Sequence, residues 1–256
     1  MTSLLQKLDE DVLILTINRP ERDNRIDPAL ADDLCAALRS ARVAEKVRAV
    51  VLTAAGDVFC LGGDIDRFPD GTAFDYLRFA KAFSEISHTM AGLGKPLIAA
   101  VNGDAFAGGF SLLAGCDMAI VANDARFGLP ELEYGLFPLL ALATTHALLP
   151  PKLMFEIIYE SRLLTADEAC ALHLANRTAP KDKVVQEAFV LARRLGGRNA
   201  TGIMFGRDAF YAMRNAALIA ANDHARFALS ALLSTNDARE AAKAKREGRK
   251  PKYSGS

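Results

Sequence analysis

Three apolar runs in the first half of the chain constrain its fold more than any other feature. They are 12–17 (VLILTI), 48–53 (RAVVLT) and 96–101 (PLIAAV), and each leads through a turn into a helical pattern. Runs this apolar need cover on both faces, as strands of a layered α/β sheet have. Asp27-Pro28 marks the first helix start, an N-cap acceptor followed by proline, ahead of a stripe at Leu30, Leu34, Ala37, Leu38 and Ala41. A second helix is predicted over 74–92. Gly108-Gly109 opens a third, to about Ala114, and strand 117–122 follows. The recurrence predicts an α/β fold.

Past Pro130 the pattern becomes helix upon helix. Thr165 and Glu168 form a capping box, a short strand is predicted near 175–178, and helices near 181–196, 200–217 and 221–234. No linker rich in Gly, Ser or Pro intervenes. The expected division is a core over 1–195 with a helical extension and basic tail over 196–256. Residues 237–252 hold seven basic and three acidic side chains, the mark of a solvated terminal helix.

Composition removes several classes. At 51% hydrophobic the chain is not disordered, and 31 Lys+Arg against 31 Asp+Glu leave no net field to draw nucleic acid or an acidic membrane. Cys35, Cys60, Cys116 and Cys170 form no C-x-x-C pair, so neither a disulfide framework nor a thiolate zinc site is expected. The histidines His88, His146, His173 and His224 show no metal-ligand spacing. The N-terminus lacks a basic flank and apolar stretch, and the apolar segment 135–149 is too short for a bilayer span. A soluble, cytoplasmic protein is expected, and neither the cysteine nor the histidine spacing signals a metal site.

Two segments share one design. Phe59-Cys60-Leu61-Gly62-Gly63-Asp64-Ile65 and Asn102-Gly103 through Gly108-Gly109 each lie past a strand end and before a helix. Strand ends are where α/β sheets bind ligands, and small residues there let backbone amides approach. Two such amides on one oxygen would stabilise charge that appears in a transition state. No G-x-G-x-x-G or phosphate loop is present, and Leu113 occupies the final glycine position of a nucleophile elbow around Ser111. A third segment, Phe127-Gly128-Leu129-Pro130-Glu131, places a carboxylate at a helix start, where by composition alone it is a first-turn acid.

In this order and at these intervals the three segments resemble the crotonase superfamily, the enoyl-CoA hydratase/isomerase family, over essentially the whole chain. Asn18-Arg19-Pro20 with the Asn24–Ile26 segment is similar to the family's first CoA-contacting loop. Leu163 through Arg177, and the end from Ser234 to Tyr253, are similar to its later elements. The resemblance implies a spiral of ββα repeats with a C-terminal helical trimerisation region, assembled as a homotrimer or hexamer. It implies an acyl-CoA thioester substrate, coenzyme A entering only as part of that thioester. The carbonyl would be held by the amides of Gly63 and Gly108, with Glu131 as acid/base. Contacts to substrate and CoA would come from Arg22, Cys60, Leu61, Gly63, Asp64, Ile65 and Ser111. Leu61, Phe68, Phe79, Phe83 and Leu139 are candidates for the acyl pocket.

The chain departs from the family pattern in two places. Hydratases of the family use two glutamates, and the first would fall at Ser111, which cannot act as a base at neutral pH. The glycine-rich stretch usual after the Pro138 position is replaced by Leu139-Leu140-Ala141-Leu142. A drier pocket raises a glutamate's pKa and suits one residue moving one proton. Glu133, two residues on, should face away from Glu131. Hydration and 3-enoyl to 2-enoyl isomerisation both remain open. An acyl-CoA hydrolase or decarboxylase, or an inactive CoA-binding homologue, is the alternative.

Overall fold

Six strands, among the residues described, form the main sheet in the order β1-β2-β3-β4-β6-β9. They are β1 (Leu4–Asp9), β2 (Val12–Ile17), β3 (Ala49–Ala54), β4 (Leu97–Val101), β6 (Met118–Ala122) and β9 (Arg177–Ala179). The computed structural model describes residues 2–65, 71–214 and 216–255. All pairings except the β1–β2 hairpin are parallel. Every residue of β3 and β4 is buried, as their unbroken apolar character requires. The predicted strands fall within two residues of their observed limits. β1 has no counterpart in the sequence reading, because its outward-facing edge residues carry Gln6 and Lys7 and hide the strand pattern.

A second, three-stranded sheet joins β5 (Ala105–Phe106), β7 (Arg126–Gly128) and β8 (Leu164–Thr165). Single bridges extend the line of this layer: Cys60 pairs with Ala105, and Gly63 with Ile26. Each turn of the chain thus gives a long strand to the main sheet, a short strip to the second, and a helix, the ββα repeat that the resemblance implies. The alternation brings both glycine segments side by side in the second layer.

Helices cover the sheet. Asp27 caps α1 (Pro28–Val43), accepting from the Leu30 amide at 2.9 Å. α1 packs on α2 (Ala73–Ala91), and α3 (Gly108–Gly115) opens at the second glycine pair. Then come α4 (Leu139–Thr145), α5 (Pro151–Tyr159) and α6 (Ala166–Ala171). The capping box of α6 closes as read, with Glu168 N to Thr165 Oγ1 at 3.2 Å and Thr165 N to Glu168 Oε2 at 2.8 Å. α7 (Val184–Gly196) lies across β2, β3, β4 and β6. The final helices are α8 (Ala200–Met213), α9 (Leu218–Leu233) and α10 (Asn236–Arg246).

The C-terminal helices are tied to the body by one buried cation. Arg207 on α8 donates to Asp117 at 2.9 Å and to the Met90 and Ala91 carbonyls at 2.6 Å each. It satisfies the C-terminal turn of α2 while the Asp117 carboxylate also accepts the Leu97 amide. Tyr211 stacks against the same guanidinium.

A second polar clamp fixes the loop that leaves β3. Asn24 is fully buried, with φ of 51°, a conformation asparagine tolerates better than most residues. Its amide donates to the Ala55 and Val58 carbonyls at 2.8 and 2.7 Å, and its Oδ1 accepts the Arg19 amide. Asn102 holds the same loop through the Gly56 carbonyl. Asn24→Asp removes two donors and sets a carboxylate against two carbonyls. It should destabilise the fold by about 2–4 kcal/mol, read as a lower urea midpoint at pH 7. An unchanged midpoint would show that this clamp does not hold the loop.

Candidate active site

The Gly62-Gly63 and Ala107-Gly108 segments approach more closely than side chains would allow. Gly62 has φ of +99°, and a Cβ there would stand 2.8 Å from the Ala107 Cβ and 3.3 Å from the Gly108 nitrogen. A Cβ on Gly109 would collide with the Cys60 carbonyl. Glycine at these positions is therefore a condition of the contact. Ile26 N donates to Gly62 O and Asp64 N to Ile26 O, which fixes the first segment, while Phe106 N to Cys60 O and Ala107 N to Gly128 O fix the second.

Ala107 carries the local strain, with φ of 52° and ψ of −118° directly before the Gly108 amide. Gly108 is the first residue of α3, so its N–H has no acceptor inside the helix. Among the described residues neither the Gly63 nor the Gly108 N–H meets an acceptor. Both residues line a cavity of about 580 Å³.

The remaining walls are largely apolar. Phe79 and Phe83 from α2 and Leu139 and Leu140 from α4 line the cavity together with Leu61, Ile65 and Phe137. The Phe79 and Phe83 rings sit over the two glycines, where a Cβ on either Gly63 or Gly108 would strike them. Phe68, a further candidate for this wall, lies outside the described residues.

Glu131 reaches the cavity from a short 3-10 helix, Pro130–Tyr134. Proline at the first position and Gly135 in the left-handed conformation bound that turn. Glu131 Oε2 is buried without a hydrogen-bond partner. Burial pushes its carboxyl up to about 7, and the only offset is a hydrogen bond from its own backbone amide. Glu133 is exposed and does not line the cavity. Asp104 accepts the Arg126 amide at 2.8 Å, a turn-holding role. Glu131 is the single carboxylate of the cavity among the described residues.

Of the residues expected at the site, Leu61, Gly63, Ile65, Gly108, Ser111 and Glu131 converge on this cavity, whereas three others do not line it. Cys60 is fully buried beneath the first segment, its Sγ accepting the Gly62 amide at 3.4 Å. Burial pushes this thiol up to about 12, so it is an inert packing group. Burial would raise the Asp64 carboxyl, but the Arg22 and Arg19 guanidiniums at 2.6 and 3.1 Å outweigh it and hold it low. Asp64 and Arg22 therefore pair with each other, and neither is among the described residues that line the cavity.

Sequence reasoning leaves out Tyr76 and Tyr134, which also line the cavity, as does Arg25 of the Asn24–Ile26 segment, which it does not single out. Tyr76, Phe79, Ala80 and Phe83 follow a helical i, i+3, i+4, i+7 spacing, so Tyr76 had a signal. Nothing in the spacing distinguishes Arg25 from Arg19 and Arg22. No group of three or more His, Cys, Asp or Glu side chains among the described residues could hold a metal ion. No described helix is long and apolar enough to cross a membrane.

The fold has close solved counterparts. The crystal structure of an enoyl-CoA hydratase from Mycobacterium smegmatis superposes with a TM-score of 0.94 at 28% identity, covering 99% of both chains. The 2,3-dehydroadipyl-CoA hydratase of Escherichia coli is 27% identical across the full length of both chains. The carnitinyl-CoA dehydratase of Proteus mirabilis is 32% identical over 189 residues, 72% of this chain and 70% of its own. The family model described as enoyl-CoA hydratase/isomerase matches residues 7–256. With the fold and nearly the whole sequence matched, this chain belongs to the enoyl-CoA hydratase/isomerase family and is an acyl-CoA enzyme of that type.

Proposed function

We propose that this enzyme isomerises a 3-enoyl-CoA to the 2-enoyl-CoA, with Glu131 as its one acid/base. The observation that carries this reading is Glu131, the one carboxylate of the apolar cavity among the described residues, with a buried, unpartnered oxygen. The thioester carbonyl oxygen would lie between the Gly63 and Gly108 N–H groups. Glu131 takes the proton from C2, the electron pair moves onto that oxygen as a dienolate, and the amides stabilise the charge. Glu131 then returns the proton to C4, leaving the double bond between C2 and C3. A group near 7 is matched to both halves of that exchange, because neither protonation state is costly at neutral pH.

Hydration is the second reading, and the hydratase names of the relatives favour it. It asks one glutamate both to deprotonate water and to protonate C2. Ser111 lines the cavity and can hold a water but cannot deprotonate it. Exposed apolar side chains on α8 and α9, among them Phe210, Ile219, Phe227 and Leu233, support self-association, which we propose is as a homotrimer or hexamer.

Mass spectrometry of 2-enoyl- and 3-enoyl-CoA thioesters in deuterated water separates the two readings. Double-bond migration without a gain of water is expected, falling by at least about 10²-fold in Glu131→Gln. Water addition as the sole reaction would replace isomerisation with hydration, and equal activity in the variant would remove Glu131 from the mechanism.

Gly108→Val tests the amide pair. Its Cβ would stand 2.5 Å from the Phe83 ring and 3.3 Å from the Gly62 Cα, so the branched side chain must intrude on the cavity. Turnover should drop by about 10²–10³-fold in a variant that keeps its circular dichroism. Near-normal turnover in the folded variant would contradict the assignment.

A further inference from the structure

We infer that Phe79 and Phe83 are positioning residues, which hold the Gly63 and Gly108 amides at the separation one carbonyl oxygen needs; this rests on the proposed amide pair. The two donors come from different segments, and glycine at each leaves the backbone free to turn. The hydrogen bonds that fix the segments run through Gly62, Asp64, Phe106 and Ala107, and leave the Gly63 and Gly108 nitrogens unbonded among the described residues. Packing must then locate the donors themselves. A Cβ on Gly63 would collide with Phe79 Cζ, and its three nearest neighbours are all atoms of that ring. A Cβ on Gly108 would stand 2.5 Å from Phe83 Cε1 and 3.2 Å from its Cζ. Each ring therefore turns its outer edge to one glycine and fills the space a side chain would take.

Phe79 and Phe83 lie four residues apart on α2, a spacing that puts both side chains on one helix face. Their rings pack on each other, with centroids 4.9 Å apart and a 43° tilt. One rigid element thus touches both donor residues. α2 is secured in turn by Arg207, which binds the Met90 and Ala91 carbonyls of its last turn, and it packs on α1, α3 and α4. The separation of two amides from distant parts of the sequence is thereby referred to a spacing inside a single helix. The competing role is bulk for the acyl chain. It is uniform binding, which alters KM and leaves kcat alone.

The test uses butyryl-CoA labelled with ¹³C at its thioester carbonyl, a saturated ligand that neither isomerises nor takes up water. Its outcome is therefore independent of which reaction the enzyme performs. Difference infrared spectroscopy at saturating ligand reads the carbonyl stretch, which two amide donors lower. In wild type the bound stretch should lie below the free value, and Phe79→Ala and Phe83→Ala should move it back toward that value. With enoyl-CoA substrate the same variants should lower kcat by about 10–10²-fold, with KM little changed. Phe79→Leu and Phe83→Leu should lose a smaller part of the shift, and they decide the matter if an alanine variant does not fold. Leu140→Ala removes apolar bulk from the same cavity and should leave the stretch in place, whatever it does to KM. Gly63 lies outside the left-handed region and accepts a side chain. Gly63→Ala added to Phe79→Ala should recover part of the shift, its methyl group taking the place of the ring. A full shift in both phenylalanine variants with only KM raised, an equal loss in Leu140→Ala, or no recovery in the double variant would overturn the inference. A wild-type stretch at the free value would remove the amide pair itself, and the inference with it.

Discussion

Everything at this site depends on two backbone segments lying against each other with no side chain between them. The main sheet delivers residues 60–64 and 105–109 to the same layer, and hydrogen bonds to Ile26 and Gly128 hold each from the far side. Glycine at 62 and 109 allows the approach, and the strained Ala107 precedes the amide that opens α3. Such a conformation costs about 1–3 kcal/mol and survives only where its neighbours over-determine it. Here the Ala107 amide is held by the Gly128 carbonyl, and the residue lies against Gly62 of the other segment.

The same packing sets the chemistry of Glu131. Glu131 shares its cavity with aromatic and leucine side chains from α2 and α4, and one of its carboxylate oxygens is buried with no hydrogen-bond donor among the described residues. The folded protein therefore holds a proton that the unfolded chain releases above about 4.5. Stability is forfeited as pH rises from there through 7, by up to roughly 3 kcal/mol. A buried, unpaired acid is a liability to the fold and an asset to a proton shuttle, a conflict common at active sites.

Much of this was legible in the sequence because it depends on local patterns. Apolar runs gave the strands of the sheet, Asp27-Pro28 and Thr165–Glu168 gave their helix starts, and the ordered glycine segments with Glu131 marked the cavity. Partners were harder to read, because spacing does not reveal them. The resemblance implied substrate or CoA contacts for Arg22, Cys60 and Asp64, but not that Asp64 is ion-paired with Arg19 and Arg22 or that the Cys60 side chain is buried outside the cavity lining. Arg25 could be told from Arg19 and Arg22 only once Asp64 had been placed. β1 escaped because an exposed edge strand needs little apolar alternation.

The proposed proton shuttle turns on the protonation of one side chain, and a pH titration of the Glu131 carboxyl carbon by ¹³C NMR, read by difference against Glu131→Gln, measures it. A midpoint near 7 is predicted, well above the ordinary 4.5. A midpoint at the ordinary glutamate value would mean that the cavity is wet and the carboxylate solvated, and would contradict the single-residue proton shuttle.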